Sequence, residues 1–155
     1  MKILDTNLWV FGTLGTHDYA ERLLDEIERG ETTSAINAYV VQEALNAFDR
    51  TAGLSPSERD EVKTLFLTRL SRMIGLVEAP SSRDFADDLL SERRSASKTR
   101  LLGRVLDTQP KDVPILVLAF EHETRQPTIL TNDESFAALQ PAEYGLDSIV
   151  LEHAP

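Results

Sequence analysis

The sequence predicts an α/β protein, a sandwich of helices around a mainly parallel sheet. Short apolar runs of strand character recur along the 155 residues, and helical periods fill the intervals between them. No internal repeat, low-complexity tract or linker-like stretch divides the chain. A single domain over residues 1–155 is therefore expected, long enough to bury a substantial core.

Ile3 and Leu4 read as a short buried strand running into a polar loop, Asp5-Thr6-Asn7. From His17 to Arg29 the spacing is helical, with Tyr19, Leu23, Leu24 and Ile27 on one side, and Gly30 is a suitable terminator. The β-branched stretch Thr32 to Ile36 favours a second strand. Asn37 is a good N-cap for the next helix, where Val41, Leu45 and Phe48 recur at helical intervals. Glu43 lies at the border of that apolar face, beside Val40 and Ala47.

Ser55-Pro56-Ser57-Glu58 is a helix start signal, and Leu54 to Met73 carries the amphipathic set Val62, Leu65, Phe66, Arg69 and Leu70. Gly75 to Glu78 is a third strand candidate, closed by Pro80. Helices are expected over Ser82 to Glu92 and Ser97 to Asp107. Val113 to Glu123 is the most apolar helix candidate, and Pro114 is tolerable there because it falls in the first turn. Strands at Thr128 to Leu130 and Ser148 to Leu151, with a short helix from Glu134 to Leu139 between them, complete the pattern.

Composition narrows the classes. The net charge of −10 argues against a globally basic nucleic-acid surface, and lysine occurs only at positions 2, 63, 98 and 111. Such an acidic, lysine-poor surface suits high ionic strength, which screens self-repulsion. No stretch approaches the roughly 18 apolar residues that a membrane span needs, and no export signal is visible at the N-terminus. The absence of cysteine excludes disulfides and thiolate metal sites and fits a cytoplasmic protein.

Four acids stand where apolar elements stop or meet a polar edge. Asp5 follows the first strand and Asp133 follows Thr128-Ile129-Leu130-Thr131. Asp112 opens the most apolar helix and Glu43 interrupts another. In a parallel sheet, ligands bind beyond the carboxyl ends of the strands, near a switch in strand order, and Asp5 and Asp133 fall on that side. Each acid also has a plain structural reading: Asp5 as a turn cap, Asp112 as an N-cap, Asp133 as a helix start, Glu43 as a solvated edge. Four carboxylates in one cleft would repel one another unless cations neutralised them, so a divalent-metal site is the hypothesis to test.

These pieces resemble the PIN-domain nuclease family. The matching segments are Ile3-Leu4-Asp5-Thr6-Asn7, Val41-Gln42-Glu43, Lys111-Asp112-Val113-Pro114-Ile115 and Ile129-Leu130-Thr131-Asn132-Asp133-Glu134-Ser135-Phe136. Single-domain members of this length are similar to VapC-type toxins of toxin–antitoxin pairs. The resemblance implies a three-layer α/β/α fold and a ribonuclease dependent on Mg2+ or Mn2+. It puts Asp5, Glu43, Asp112 and Asp133 in the acidic metal site, with Asn7 and Thr131 beside it, able to hold waters or orient carboxylates. The apolar helix edges near Val40 to Phe48 and Leu65 to Leu70 are candidates for a homodimer or antitoxin surface, and the resemblance implies such a partner rather than a free monomer.

Arg93, Arg94, Lys98, Arg100 and Arg104 form the one basic segment, with no acid from 93 to 106. It is a candidate for contacts to RNA phosphates, and equally a solvated helix face or a surface for an acidic partner. His17, His122 and His153 lack metal-ligand spacing and read as surface or packing residues. Trp9, Phe11, Leu14 and Leu54 read as packing or interface residues rather than base-stacking platforms. Two other functions compete with the nuclease. One is a PIN-like scaffold that binds RNA or protein without cleavage. The other is a phosphatase of the haloacid dehalogenase type, which needs a second aspartate where this chain has Asn7.

Overall fold

The computed structural model describes residues 1–94 and 102–155, the side chains of 91–94 excepted. Lys98 and Arg100, with residues 97–101 of the helix expected from Ser97 to Asp107, lie outside the described residues; 102–105 are helical and 106–107 form a turn.

Strand β1, Lys2–Leu4, is followed at once by helix α1, Thr6–Leu14. The expected loop at Asp5-Thr6-Asn7 is thus corrected: Asp5 is the residue before the helix, and its carbonyl accepts from the Leu8 N–H at 3.0 Å. Leu8, Trp9 and Val10 are all buried, so α1 is apolar on nearly every side and shows no amphipathic period. Helix α2, Asp18–Glu28, starts with His17 as its cap, whose Nδ1 accepts from the Ala20 N–H at 3.3 Å.

Strand β2 is only Ser34–Ala35, shorter than the expected 32–36. Asn37 caps α3, Ala38–Arg50, accepting from the Val40 N–H at 3.0 Å. Helix α4, Pro56–Arg72, has the full capping box, with Ser55 and Glu58 satisfying each other's backbone amides. Of its expected apolar face only Phe66 is buried, edge-on to Trp9 and Phe48. Arg69 instead ties α4 to α2 through Asp25 and Glu28.

Strand β3 is Leu76–Glu78 and helix α5 is Phe85–Arg94, beginning three residues later than expected because Ser81 and Asp84 close a turn first. Helix α6 is Val113–Glu121, and a short 3-10 turn, Glu123–Arg125, replaces the end of the predicted helix. Strand β4, Thr128–Thr131, helix α7, Glu134–Ala137, and strand β5, Val150–His153, complete the chain. The last strand starts two residues beyond the expected Ser148.

Among the described residues all strand pairs are parallel. One set runs β1-β4-β5, with Ile3 opposite Ile129 and Ile129 opposite Leu151, and β2 pairs with β3. The Lys2 N–H donates to Thr33 O at 2.9 Å, which lays β2 beside β1. With β2 beside β1, the described strands lie in the order β3-β2-β1-β4-β5 across the two sheets, and order reverses between β1 and β4. That boundary is the switch point of an open α/β sheet, and the chain leaving both strands turns there. Helices flank the sheet, as the expected α/β sandwich requires. Among the described residues no helix is long and apolar enough to cross a membrane.

Candidate metal centre

The site is built from four stretches of chain that meet above the ends of β1 and β4. Asp5 leaves β1 directly, with its N–H held by Leu130 O at 2.9 Å. Its carboxylate is buried, and Oδ2 accepts from the Thr131 hydroxyl at 2.7 Å. Thr131 is the last residue of β4 and has no exposed surface, so the paired strands fix this contact. The same hydroxyl accepts from the Asp133 N–H at 3.0 Å, which bends the chain toward Asp5 before α7 begins.

Glu43 arrives from α3. Its Oε2 accepts from the Thr6 hydroxyl at 2.6 Å, and this partner was missed by the sequence reading. Asp112 arrives at the start of α6. Asn37 joins the two helix starts, because its amide nitrogen donates to Pro114 O at 3.2 Å while its oxygen caps α3. Asp112 precedes α6 but its side chain makes no capping hydrogen bond, so the N-cap reading does not explain it. Only 2% of Asp112 is exposed.

Asp133 fills its structural role more fully. Its Oδ1 accepts from the Ser135 N–H at 2.9 Å and the Phe136 N–H at 3.2 Å, capping α7, and Oδ2 faces Lys111 Nζ at 3.4 Å. Asn7 Nδ2 donates to Asn132 Oδ1 at 3.1 Å, tying the first turn of α1 to the loop after β4.

The electrostatics separate these acids. Burial pushes Asp112 up to about 7; Lys111 opposes this, and the charges of Asp5, Asp133 and Glu43 add to it. Burial also raises Asp5, against the hydrogen bond from Thr131. Asp133 is lowered to about 2, first by the Ser135 side chain, with the helix amides and Lys111 adding to it. Partial burial would depress Lys111, but the carboxylates of Asp112, Asp133 and Asp5 outweigh it and hold the ammonium charged.

The group is looser than a finished cage. Among the described residues no three His, Asp or Glu side chains stand close enough, as oriented, to hold a metal ion. The donor chemistry nevertheless fits a hard divalent cation, since carboxylate and hydroxyl oxygens are what Mg2+ and Mn2+ prefer. A buried carboxylate raised to about 7 is where an added cation would act most strongly.

The other described candidates are placed as follows. Arg93 and Arg94 end α5, and Arg104 is exposed beside Asp107, Thr108 and Pro110. His17 caps α2, His122 is largely covered near Glu78, and His153 is exposed on β5. Trp9 is wholly buried, as a packing residue should be.

No family model and no curated protein matches the sequence. Among solved structures, the fold is similar to a chain of VapBC2 from Rickettsia felis, in the crystal structure of VapBC2 bound to a DNA fragment from their promoter. The two chains share 15% identity, and the match covers 99% of this chain and 98% of that one, with a TM-score of 0.55. At that identity the likeness establishes a shared PIN-like α/β fold over the whole length.

Proposed function

We propose that the protein is a metal-dependent endoribonuclease, the toxin of a type II toxin–antitoxin pair, acting in the cytoplasm. The observation that carries this reading is the meeting of Asp5 and Asp112, both buried, with Glu43 and Asp133 at the sheet's switch point. A scaffold has no physical need for buried, mutually repelling carboxylates, which destabilise the fold unless a ligand compensates them.

In this reading Asp5 and Asp112 hold the principal Mg2+ or Mn2+, and Glu43 and Asp133 complete the set directly or through water. When bound, such an ion supplies a water of lowered pKa and neutralises charge on phosphate oxygens. The chain's own groups prepare the site. Thr131 fixes one oxygen of Asp5, and Thr6 fixes one oxygen of Glu43. The pairing of Asn7 with Asn132 holds α1 against the β4 loop. Because residue 7 is asparagine, no acid stands two residues after Asp5, where a dehalogenase-type phosphatase would need its proton donor.

Substrate and partner follow the same reading. Arg93, Arg94, Lys98, Arg100 and Arg104 would contact RNA phosphates in an otherwise acidic protein. The apolar edges of α3 and α4 meet Phe85 in a groove lined by Val41, Leu45, Leu67 and Leu70, which suits an antitoxin segment or a second copy in a homodimer. The likeness to VapBC2, a complex that binds promoter DNA, supports the toxin–antitoxin assignment.

Cleavage of a mixed RNA substrate with Mn2+, against the same reaction in EDTA, tests the proposal. Products that depend on the metal are expected. Their absence, with RNA still bound, would favour the scaffold.

A further inference from the structure

Lys111 stands among these carboxylates with no role assigned to it. Its ammonium is 3.4 Å from Asp133 Oδ2 and also faces Asp112 and Asp5. The placement is built into the chain, because Lys111 immediately precedes Asp112 in the turn that Asp112 N–H closes onto Gln109 O at 3.0 Å. The other described lysines serve elsewhere, Lys2 with Glu26 and Lys63 with Asp49 and Asp60.

We propose that Lys111 is a built-in counter-cation of the carboxylate group, which holds Asp133 while the site is empty of metal and competes with a divalent cation for the same charges. This rests on the metal-centre reading above. Two cations that share carboxylates within a few Å repel each other, so the ammonium opposes metal entry. The lysine stem is long and flexible, and at 43% exposure the head can swing into water when a metal arrives. The protein thereby keeps its acidic site folded without metal and sets a higher metal concentration for loading.

Manganese titration calorimetry at fixed ionic strength tests this on the full chain, comparing wild type with Lys111→Met, Lys111→Gln and Lys111→Arg. The two neutral variants should bind Mn2+ about five- to tenfold more tightly, the effect expected from removing one nearby opposing charge. Lys111→Arg should stay within about twofold of wild type, since it keeps the charge. In EDTA the neutral variants should melt at lower temperature than wild type. A packing role predicts weaker metal binding instead, so unchanged or weaker affinity in a folded neutral variant overturns the proposal alone. No Mn2+ uptake by any of the four proteins overturns the metal-centre reading, and this proposal with it.

Discussion

The Thr131 hydroxyl donates to Asp5 Oδ2 at 2.7 Å while accepting from the Asp133 amide at 3.0 Å, so one buried side chain couples the ends of β1 and β4. Thr131 has no exposed surface and Asp5 is 6% exposed, so the bond between them is shielded from water. Replacing Thr131 by valine keeps the shape and removes the hydroxyl partner of the buried Asp5 carboxylate and of the Asp133 amide. Urea denaturation should show a loss of about 1–3 kcal/mol, with Thr131→Ser close to wild type. Equal stability of the valine variant would mean that the hydroxyl does not hold the site.

Asp112 makes stability depend on pH with a definite sign. Its folded pKa, about 7, lies above the ordinary carboxylate value of about 3.9, so the folded state holds the proton more tightly. The stability this contributes is complete below that ordinary value and is lost as pH rises through about 7. In EDTA, Asp112→Asn should therefore gain on wild type between about pH 5 and 7.5, by on the order of 2–4 kcal/mol. Melting curves of both proteins across that range measure it. A constant difference between them would show that Asp112 is not perturbed.

Gly75 packs where no side chain fits. A Cβ there would stand 2.1 Å from Thr32 O, in the α2–β2 connection, and 2.8 Å from Ile27 O, in the last turn of α2, both backbone atoms. Gly75→Ala should lose about 3 kcal/mol or fail to fold. Gly53→Ala is the control: its φ of +84° is strained for alanine, but nothing lies within 4 Å, so about 1 kcal/mol is expected. Similar losses in thermal melts of the two variants would contradict this account of the β3 edge.

The sequence made the strand-terminal acids legible because Ile3-Leu4 and Ile129-Leu130 are apolar runs broken by a carboxylate, and such a break is a local signal. The Ser55 capping box and the Asn37 cap were legible for the same reason. Helix α1 was not, since its residues are buried on nearly all sides and Thr6-Asn7 resembles a loop in composition. Strand β2 was overestimated because Thr32 and Thr33 favour extended backbone, yet only Ser34–Ala35 pair with β3. The Thr6–Glu43 bond joins residues 37 apart, and no local pattern announces it. Lys111 was visible only as part of a motif, although a lysine beside an acid in a lysine-poor chain was a signal that could have been weighed. The double duty of Asp133 was half visible: its capping role was readable, its ion pair was not.

The most direct test is RNA cleavage by Asp5→Asn beside wild type, with saturating Mn2+ and equal amounts of folded protein. Asparagine keeps the size of the side chain and the acceptor for Thr131, and removes the charge. If Asp5 holds the ion, the rate falls by at least about 100-fold, roughly 2.7 kcal/mol of lost transition-state stabilisation. Cleavage by Asp5→Asn at the wild-type rate would contradict that role.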